Sequence, residues 1–480
     1  MRKLARKWTA ALAPGLLLAA VVATAVPADA APPSCPSPIV SGDTVLCGSL
    51  ADGATYLIEV PAQWNKTLFL YSHGYVVPGS PNPATDVGDP VTGAWLLSHG
   101  FALAGSSYSL TGWALAAALP DQDATLQTFA KLVGKPTQTI AWGHSLGGII
   151  TAGLIQRFPH AFSAALPMCG VLSGGVATWN TALDAAFAFQ QLVDPKVSVV
   201  NITNPFPNLN EAEQAVTAAQ STAAGRARIA LGAALGDTPG WFTPLTPEPA
   251  ANDFAAQEAN QFQWDSQVDF PFVFAFRAQL ELLAGGNPSW TTGVNFRAQL
   301  ARSADTREVR ALYKAAGLSL RADLRTLQRA TQISADPAAV KYLAHNISFT
   351  GRIRIPVLTL HTTGDGLVVP ENEQAYAHVV RKAGRSRLLR QLFIDRAGHC
   401  AFTPAETIAS VQQLLSRMAT GHWNNHALRP ASMDKSAAAL GAGDNIFFSG
   451  GKVVPVAPAF IRFRPTRYLR PFDLSPRFRP

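Results

Sequence analysis

Three residue types that together perform nucleophilic acyl chemistry occur in this chain of 480 residues, each in a glycine-containing turn. Ser145 lies in the stretch GHSLG, Asp365 in TGDG and His399 in AGHC. A serine hydroxyl is a poor nucleophile at neutral pH and needs a base within hydrogen-bond reach. The three residues therefore predict attack of Ser145 on a carbonyl carbon, with His399 as base and Asp365 as the acid that orients it.

The elements around Ser145 are those that a nucleophilic serine requires. The stretch TQTIAWG before it is typical of a buried strand, and GGIITAGLIQRFP after it is typical of a helix that ends at Pro159. A G-x-S-x-G motif at such a junction exposes the serine on a tight turn between strand and helix. The alternative is an ordinary helix-entry turn, in which Ser145 only caps the backbone.

Asp365 and His399 each follow a predicted strand, PVLTL and LLRQLFI respectively. Side chains at the carboxyl ends of parallel strands meet at one edge of the sheet, where open α/β sheets build their sites. An ordinary turn aspartate is the alternative for Asp365, with Asp184 and Glu371 as weaker substitutes for the acid. Among the ten histidines, His399 has the best setting for a base.

The alternation of strands and helices predicts a doubly wound, mostly parallel α/β sheet that is interrupted once. Between about 171 and 350 the alternation gives way to Ala- and Gln-rich helical stretches, which are too long for a bare loop and predict a helical cap. The predicted divisions are a signal peptide (1–30), a first core part (31–170), the cap (171–350), a second core part (351–420) and a C-terminal extension rich in Pro and Arg (421–480).

The N-terminus predicts secretion. Four cations precede an Ala/Leu/Val run, and Ala28-Asp29-Ala30 suits cleavage after Ala30. Removing four cations and Asp29 from 39 basic and 31 acidic residues leaves 35 and 30, a net charge of +5. That excess is too small to indicate a nucleic-acid partner, and no later segment is apolar enough to predict stable membrane insertion.

The last 19 residues of the C-terminal extension, 462–480, carry six arginines among Pro, Phe and Tyr: Arg462, Arg464, Arg467, Arg470, Arg477 and Arg479. They could bind an anionic surface or polymer. The favoured interpretation is a tail that wraps the body and keeps its guanidinium groups in water.

The four cysteines are Cys35, Cys47, Cys169 and Cys400. An even number in an oxidising compartment predicts two disulfides, although the sequence allows three pairings. Cys35 and Cys47 are neighbours that would close a short loop. No CxxC or Cys/His cluster has the spacing of a metal site, so we expect no metal.

The chain order Ser145, Asp365, His399 resembles that of the α/β-hydrolase fold family, in particular its secreted serine esterase and lipase-like branch. The resemblance covers about residues 50–170 and 350–420 and rests on SHGY, GHSLGG, TGDGLVVP and AGHC. It implies a large helical cap over the site, no cofactor, and an oxyanion hole formed by the backbone N–H groups of Leu146 and Tyr75.

The resemblance also bears on the cysteines. Some secreted feruloyl esterases and tannases join the residue after the catalytic histidine to the residue beside the serine. Here His144 precedes Ser145, so the chain departs from that pattern and Cys169 is the available partner. We therefore predict that a Cys169–Cys400 disulfide holds the histidine loop against the sheet.

The substrate class is predicted from the aromatic residues. The cap stretch FQWDSQVDFPFVFAF is expected to provide its own core and part of an apolar pocket, and Tyr108 and Trp113 are candidate contacts. No acidic pair that would bind a substrate amine is evident in the cap sequence. The chain is thus predicted to be a secreted serine hydrolase that cleaves carboxylic esters of apolar character, either small molecules or polymers. The alternatives are an exopeptidase similar to tripeptidyl or prolyl aminopeptidases, an acyltransferase and a non-catalytic binding protein.

Overall fold

The computed structural model describes residues 35–449 and 452–472. The predicted signal peptide and its cleavage after Ala30 lie outside these residues. Eleven strands occur in the described part of the chain. In chain order they are β1 (Thr44–Ser49), β2 (Thr55–Val60), β3 (Thr67–Ser72), β4 (Ala102–Ser106), β5 (Gln138–His144), β6 (Ala164–Met168), β7 (Val357–Gly364), β8 (Leu389–Ala397), β9 (Ile446–Ser449), β10 (Lys452–Pro455) and β11 (Phe460–Ile461).

Nine of these described strands form one sheet in the order β1-β2-β4-β3-β5-β6-β7-β8-β11. The run from β4 to β8 is parallel, whereas β1, β2 and β11 pair antiparallel at the two edges. The mostly parallel, doubly wound sheet and the α/β-hydrolase fold class are therefore confirmed. The stretch NIFFSGGKVVPV in the C-terminal extension is typical of a hairpin, and β9 and β10 pair antiparallel there. The edge strand β1 was not predicted from the sequence.

Helices cover both faces of the sheet because strand residues alternate in direction. On β3, Leu68 and Leu70 belong to one apolar core, and Phe69 and Tyr71 belong to the other. Three helices lie before the cap: α1 (Pro90–Ser98), α2 (Leu115–Leu132) and α3 (Leu146–Arg157). The first core packs against α2 and α3, and the second against α1. Such two-sided burial is what a parallel sheet requires.

The apolar spacing of DATLQTFAKLVG, residues 123–134, predicts a helix. The helix is α2, which begins eight residues earlier than that stretch and continues through Pro120. Leu115, Ala118 and Leu119 are all buried in the core around β3. Tertiary packing thus offsets the hydrogen bond that a proline removes from a helix interior.

Only helical elements and turns occur between β6 and β7 in this part of the chain, as expected for the cap, although the limits 171–350 stay a prediction. They are α4 (Gly175–Leu192), α5 (Pro205–Gln220), α6 (Ala223–Gly236), α7 (Phe254–Trp264), α8 (Arg277–Ala284), α9 (Phe296–Leu300), α10 (Thr306–Ala315), α11 (Leu320–Arg329) and α12 (Pro337–Asn346), with π-helical turns at Asp265–Asp269 and Pro271–Phe276. Phe270 and Phe274 lie in an apolar core of the cap itself.

After β7 the chain forms α13 (Glu371–Lys382), α14 (Pro404–Thr420) and α15 (Pro430–Ala438). Of these, α15 was not predicted from the sequence. Among residues 35–449 and 452–472, no helix combines the length and apolarity that crossing a membrane requires.

The prediction that the tail keeps its guanidinium groups in water is confirmed for three arginines and wrong for a fourth. Arg462, Arg464 and Arg467 are exposed, whereas Arg470 is only 5% exposed. Burial is possible because the Arg470 guanidinium contacts polar groups of the cap. Arg477 and Arg479 lie outside the described residues.

Candidate active site

Ser145 occupies the junction between β5 and α3 with φ 58° and ψ −122°, a conformation that non-glycine residues adopt only under constraint. Its backbone N–H donates to the Met168 carbonyl at 3.0 Å. A Cβ atom on Gly143 or Gly147 would clash with the carbonyl oxygen of Ser72, so the turn needs both glycines. The packing thus explains the G-x-S-x-G spacing.

Asp365 and His399 are brought together at the ends of β7 and β8. His399 Nδ1 lies 2.8 Å from Asp365 Oδ2, and Asp365 Oδ1 accepts a hydrogen bond from the Val368 N–H at 2.9 Å. Burial alone would raise the pKa of Asp365, but the charge and hydrogen bond of His399, together with those of His361, outweigh burial and lower it. Asp365 is therefore a buried carboxylate that orients the imidazole.

The opposite ring nitrogen of His399, Nε2, lies 3.4 Å from Cys400 Sγ. No hydrogen bond joins His399 to the Ser145 hydroxyl, both being described side chains. Such contacts in ligand-free sites often form only when substrate binds. The His399 side chain keeps 20% of its surface accessible, so the imidazole is open to the site.

Both predicted disulfides are present, as Cys35–Cys47 and Cys169–Cys400. Cys169 follows β6, whose last residue accepts the Ser145 N–H, and Cys400 follows His399. The loop after β8 is held further by the Gly398 N–H, which donates to the Gly364 carbonyl at 3.0 Å. The second disulfide therefore links the serine side of the site covalently to the histidine side.

His361 on β7 has a position that sequence reasoning missed. It is buried between two carboxylates, with Nε2 3.6 Å from Asp365 Oδ2 and Nδ1 3.2 Å from Glu373 Oε1 on α13. Burial alone would lower the pKa of His361, but hydrogen bonds and charges of Asp365 and Glu373 raise it to about 10. A cationic His361 therefore stabilises the negative charge of Asp365.

We expect this arrangement to make stability depend on pH. Native His361 holds its proton up to a pKa of about 10, whereas an unfolded histidine releases it near 6.5. The stabilisation is complete below pH 6.5 and declines as pH rises towards 10, by up to about 1 kcal/mol per pH unit in the free energy of unfolding. Urea unfolding of wild type and His361→Asn should show a stability difference that shrinks between pH 7 and 9.5.

The exposed His422→Asn is the matched control, and its difference from wild type should not change with pH. A stability difference for His361→Asn that is constant over that range would contradict a protonated His361.

The predicted oxyanion loop lies beside the serine. A Cβ on Gly74 would be 3.5 Å from Ser145 Cβ, which places the chain before Tyr75 against the nucleophile. His73 fixes this loop, because its ring stacks on Tyr108 at 3.9 Å and Nε2 contacts the Ser107 carbonyl at 3.0 Å. The Tyr108 hydroxyl donates to the His73 carbonyl at 3.0 Å.

The remaining histidine near the serine, His144, is turned towards Tyr71, whose hydroxyl lies 3.1 Å from Nδ1. Burial, together with the charge of His399, lowers the pKa of His144 to about 4. His144 is therefore a neutral packing residue at physiological pH.

A largely apolar cavity lies between Ser145 and the cap, and both predicted oxyanion residues, Tyr75 and Leu146, line it. Of the two predicted substrate contacts, Trp113 lines the cavity and Tyr108 instead lies under the oxyanion loop. Other cavity residues come from the cap, the segment after Asp365 and the C-terminal extension; among them are Trp179, Phe189, Phe272, Leu367, Val369 and Tyr468.

The cap does contribute an acidic pair to this cavity, contrary to the expectation from sequence. Asp265 and Asp269 stand one turn apart and both line it, without a hydrogen-bonding or ionic partner among the described residues. Burial, with the charge of Glu258, raises the pKa of Asp265 to about 8. Burial and the charges of Asp265 and Asp365 raise the pKa of Asp269 as well.

Comparison with known proteins gives one curated relative and several solved structures. No model of a known protein family matches the sequence. The chain is 27% identical over 433 residues to o-phthalyl amidase of Xanthobacter agilis, across 84% of this chain and 92% of that protein. An esterase of Aspergillus oryzae has 12% identity and a TM-score of 0.41, covering 78% of this chain and 79% of its own. Feruloyl esterase B of Aspergillus oryzae has 11% identity and a TM-score of 0.39, with 79% and 81% covered.

Proposed function

We propose that this chain, which has the α/β-hydrolase fold, is a secreted serine hydrolase that cleaves carboxylic esters. The proposal rests on one juxtaposition: Ser145 at the elbow lines an apolar cavity, and a histidine held by the buried Asp365 lies at the neighbouring strand end. Two disulfides support an oxidising, extracellular location.

In the proposed mechanism Ser145 Oγ attacks the ester carbonyl while its proton passes to His399 Nε2. The resulting oxyanion accepts hydrogen bonds from the Leu146 and Tyr75 N–H groups, each of which is worth about 3 kcal/mol in the transition state. The C–O bond to the alcohol then breaks, and His399 returns the proton to the leaving oxygen. Water attacks the acyl-enzyme by the same steps and releases the acid and the free serine.

The second candidate is cleavage of amides whose acyl or amino part carries a free amine. The acidic pair Asp265 and Asp269 in the cavity wall favours the amine. Similarity to a protein named o-phthalyl amidase, which is an amide hydrolase by that name, favours the amide bond alone. Burial favours the protonated form of both carboxyls, and an entering ammonium group would lower their pKa and pair with the ionised form.

One substrate panel separates the two candidates. The purified mature protein is assayed on p-nitrophenyl esters of graded acyl length, on aminoacyl p-nitroanilides, and on the same anilides with the amine acylated. We expect ester hydrolysis with a preference for apolar acyl groups. Activity confined to anilides would contradict the ester proposal, and a strong preference for the free over the blocked amine would establish the second candidate.

A further inference from the structure

We propose that the C-terminal strap, residues 462–472, determines the substrate specificity of the active site, with Tyr468 as a wall of the substrate cavity. The inference rests on the proposed function for its substrate class, an ester with an apolar acyl group. It concerns a segment far from the catalytic motifs in sequence. Three sets of contacts carry it: those that fix the strap to the core, those that fix it to the cap, and those of Tyr468.

The strap begins on the core. It follows β11, which pairs antiparallel with β8, the strand that ends before His399. Thr466 then donates from its hydroxyl to Glu371 Oε1 at 3.1 Å, and the Tyr468 N–H donates to Gln374 Oε1 at 3.2 Å. Both acceptors lie on α13, the helix that follows Asp365. The first half of the strap is therefore held against β8 and α13, the elements next to His399 and Asp365.

The second half of the strap enters the cap. The Arg470 guanidinium donates to the Trp290 carbonyl at 2.7 Å and to Asn180 Oδ1 at 3.0 Å, and its Nε lies 3.6 Å from Asp184. Arg302 in turn donates to the Leu469 carbonyl at 3.0 Å. A buried arginine with a carboxylate and two oxygen acceptors is a strong anchor. Releasing it would leave the buried Asp184 carboxylate without its charged partner.

Tyr468 lies between these two anchors, and its side chain lines the same cavity as Ser145. The residue is 3% exposed and packs in the large apolar core; burial raises the pKa of its hydroxyl, and the nearby side chains of Ser173, Thr181 and Thr178 around the start of α4 counter part of that effect. The ring therefore cannot swing aside without breaking contacts on both cap and core. A fixed aromatic wall limits the length and width of the acyl group that the cavity accepts.

The first test compares three variants on p-nitrophenyl esters of graded acyl length. Tyr468→Ala removes the wall, Tyr468→Phe keeps the ring but not the hydroxyl, and Arg467→Ala changes an exposed strap residue as matched control. We expect Tyr468→Ala to raise the kcat/KM ratio of long to short esters on the order of ten-fold, an effect seen mainly in KM. Tyr468→Phe, which keeps the ring, should leave the ratio of long to short esters unchanged whatever its effect on kcat/KM. Arg467→Ala should keep wild-type kcat/KM at every acyl length.

A merely structural strap gives a different result. Tyr468→Ala would then lower kcat/KM by the same factor at every acyl length, along with the unfolding temperature. That outcome would overturn the inference.

A second measurement keeps the inference separate from the proposed activity. In the Ser145→Ala background, calorimetry records the Kd of carboxylic acids of graded length with and without Tyr468→Ala. A shift of the tightest-bound acid to longer chains supports the role of the strap in acyl-length specificity, even if wild type hydrolyses no ester. An unchanged length preference overturns it even if ester hydrolysis is found.

Discussion

Replacing Ser145 with alanine is expected to abolish ester hydrolysis, with a fall in kcat on the order of 10⁶-fold, the size seen when a nucleophilic serine is removed from a triad. The reason is chemical: without Oγ no acyl-enzyme forms, and only water activated by the oriented His399 remains. Binding should persist, because the methyl group leaves the cavity wall and the oxyanion N–H groups in place. The measurement is kcat and KM on the best p-nitrophenyl ester of the panel.

The control for Ser145→Ala is Ser416→Ala, which makes the same chemical change at an exposed position of α14. It should keep wild-type kcat and KM. Hydrolysis that survives in Ser145→Ala at more than a trace would place the nucleophile elsewhere and remove the basis of the mechanism. A lost fold would instead lower the unfolding temperature, so circular dichroism melting accompanies each assay.

The three candidate site residues could be singled out from the sequence because the features that mark each of them are local. Ser145 needs glycines on either side at a junction between strand and helix, and both the spacing and the flanking periodicity are visible in the sequence. Asp365 and His399 follow apolar strands, and the sheet then brings strand ends together. Apolar strands, strand ends and turn residues were thus sufficient to predict that these three residues lie at one edge of the sheet.

Residues whose roles depend on tertiary packing and leave no local signal were missed. In the sequence, His361 looks like any polar residue in a strand. Its contact with a second carboxylate forms only when α13 packs Glu373 against it. Tyr468 lies in a segment without helical or strand periodicity, so nothing local predicts its burial beside Ser145. Side chains of this kind are assigned by tertiary packing, which a single sequence does not specify.

The acidic pair is a different case, because a signal was present. Asp265 and Asp269 are four residues apart in a stretch of helical character, a spacing that places two side chains on one face. The aromatic residues around these two acids indicate an apolar pocket, and the prediction from the sequence therefore left the two acids out of the cavity. Any cap helix with two acids at this spacing between aromatic residues therefore warrants consideration as part of the substrate cavity.

Asp365→Asn is expected to lower kcat by about 10⁴-fold while the fold is retained, the effect of the equivalent change in a serine-protease triad. The carboxylate holds Nδ1–H of His399 and leaves Nε2 free to accept the serine proton. An asparagine that presents its NH₂ group to Nδ1 favours the opposite tautomer, in which Nε2 already carries a hydrogen. It also removes the negative charge that stabilises the imidazolium.

The same substitution changes the electrostatics around His361, since one of its two carboxylate neighbours becomes neutral. We therefore expect Asp365→Asn to weaken the pH-dependent stabilisation described above as well as to lower kcat. The exposed Asp395→Asn on β8 is the matched control and should alter neither property. If kcat falls less than ten-fold in Asp365→Asn, another carboxylate orients His399. Double substitution with Glu373→Gln would then locate it, because Glu373 is the other buried acid joined to the same histidine network.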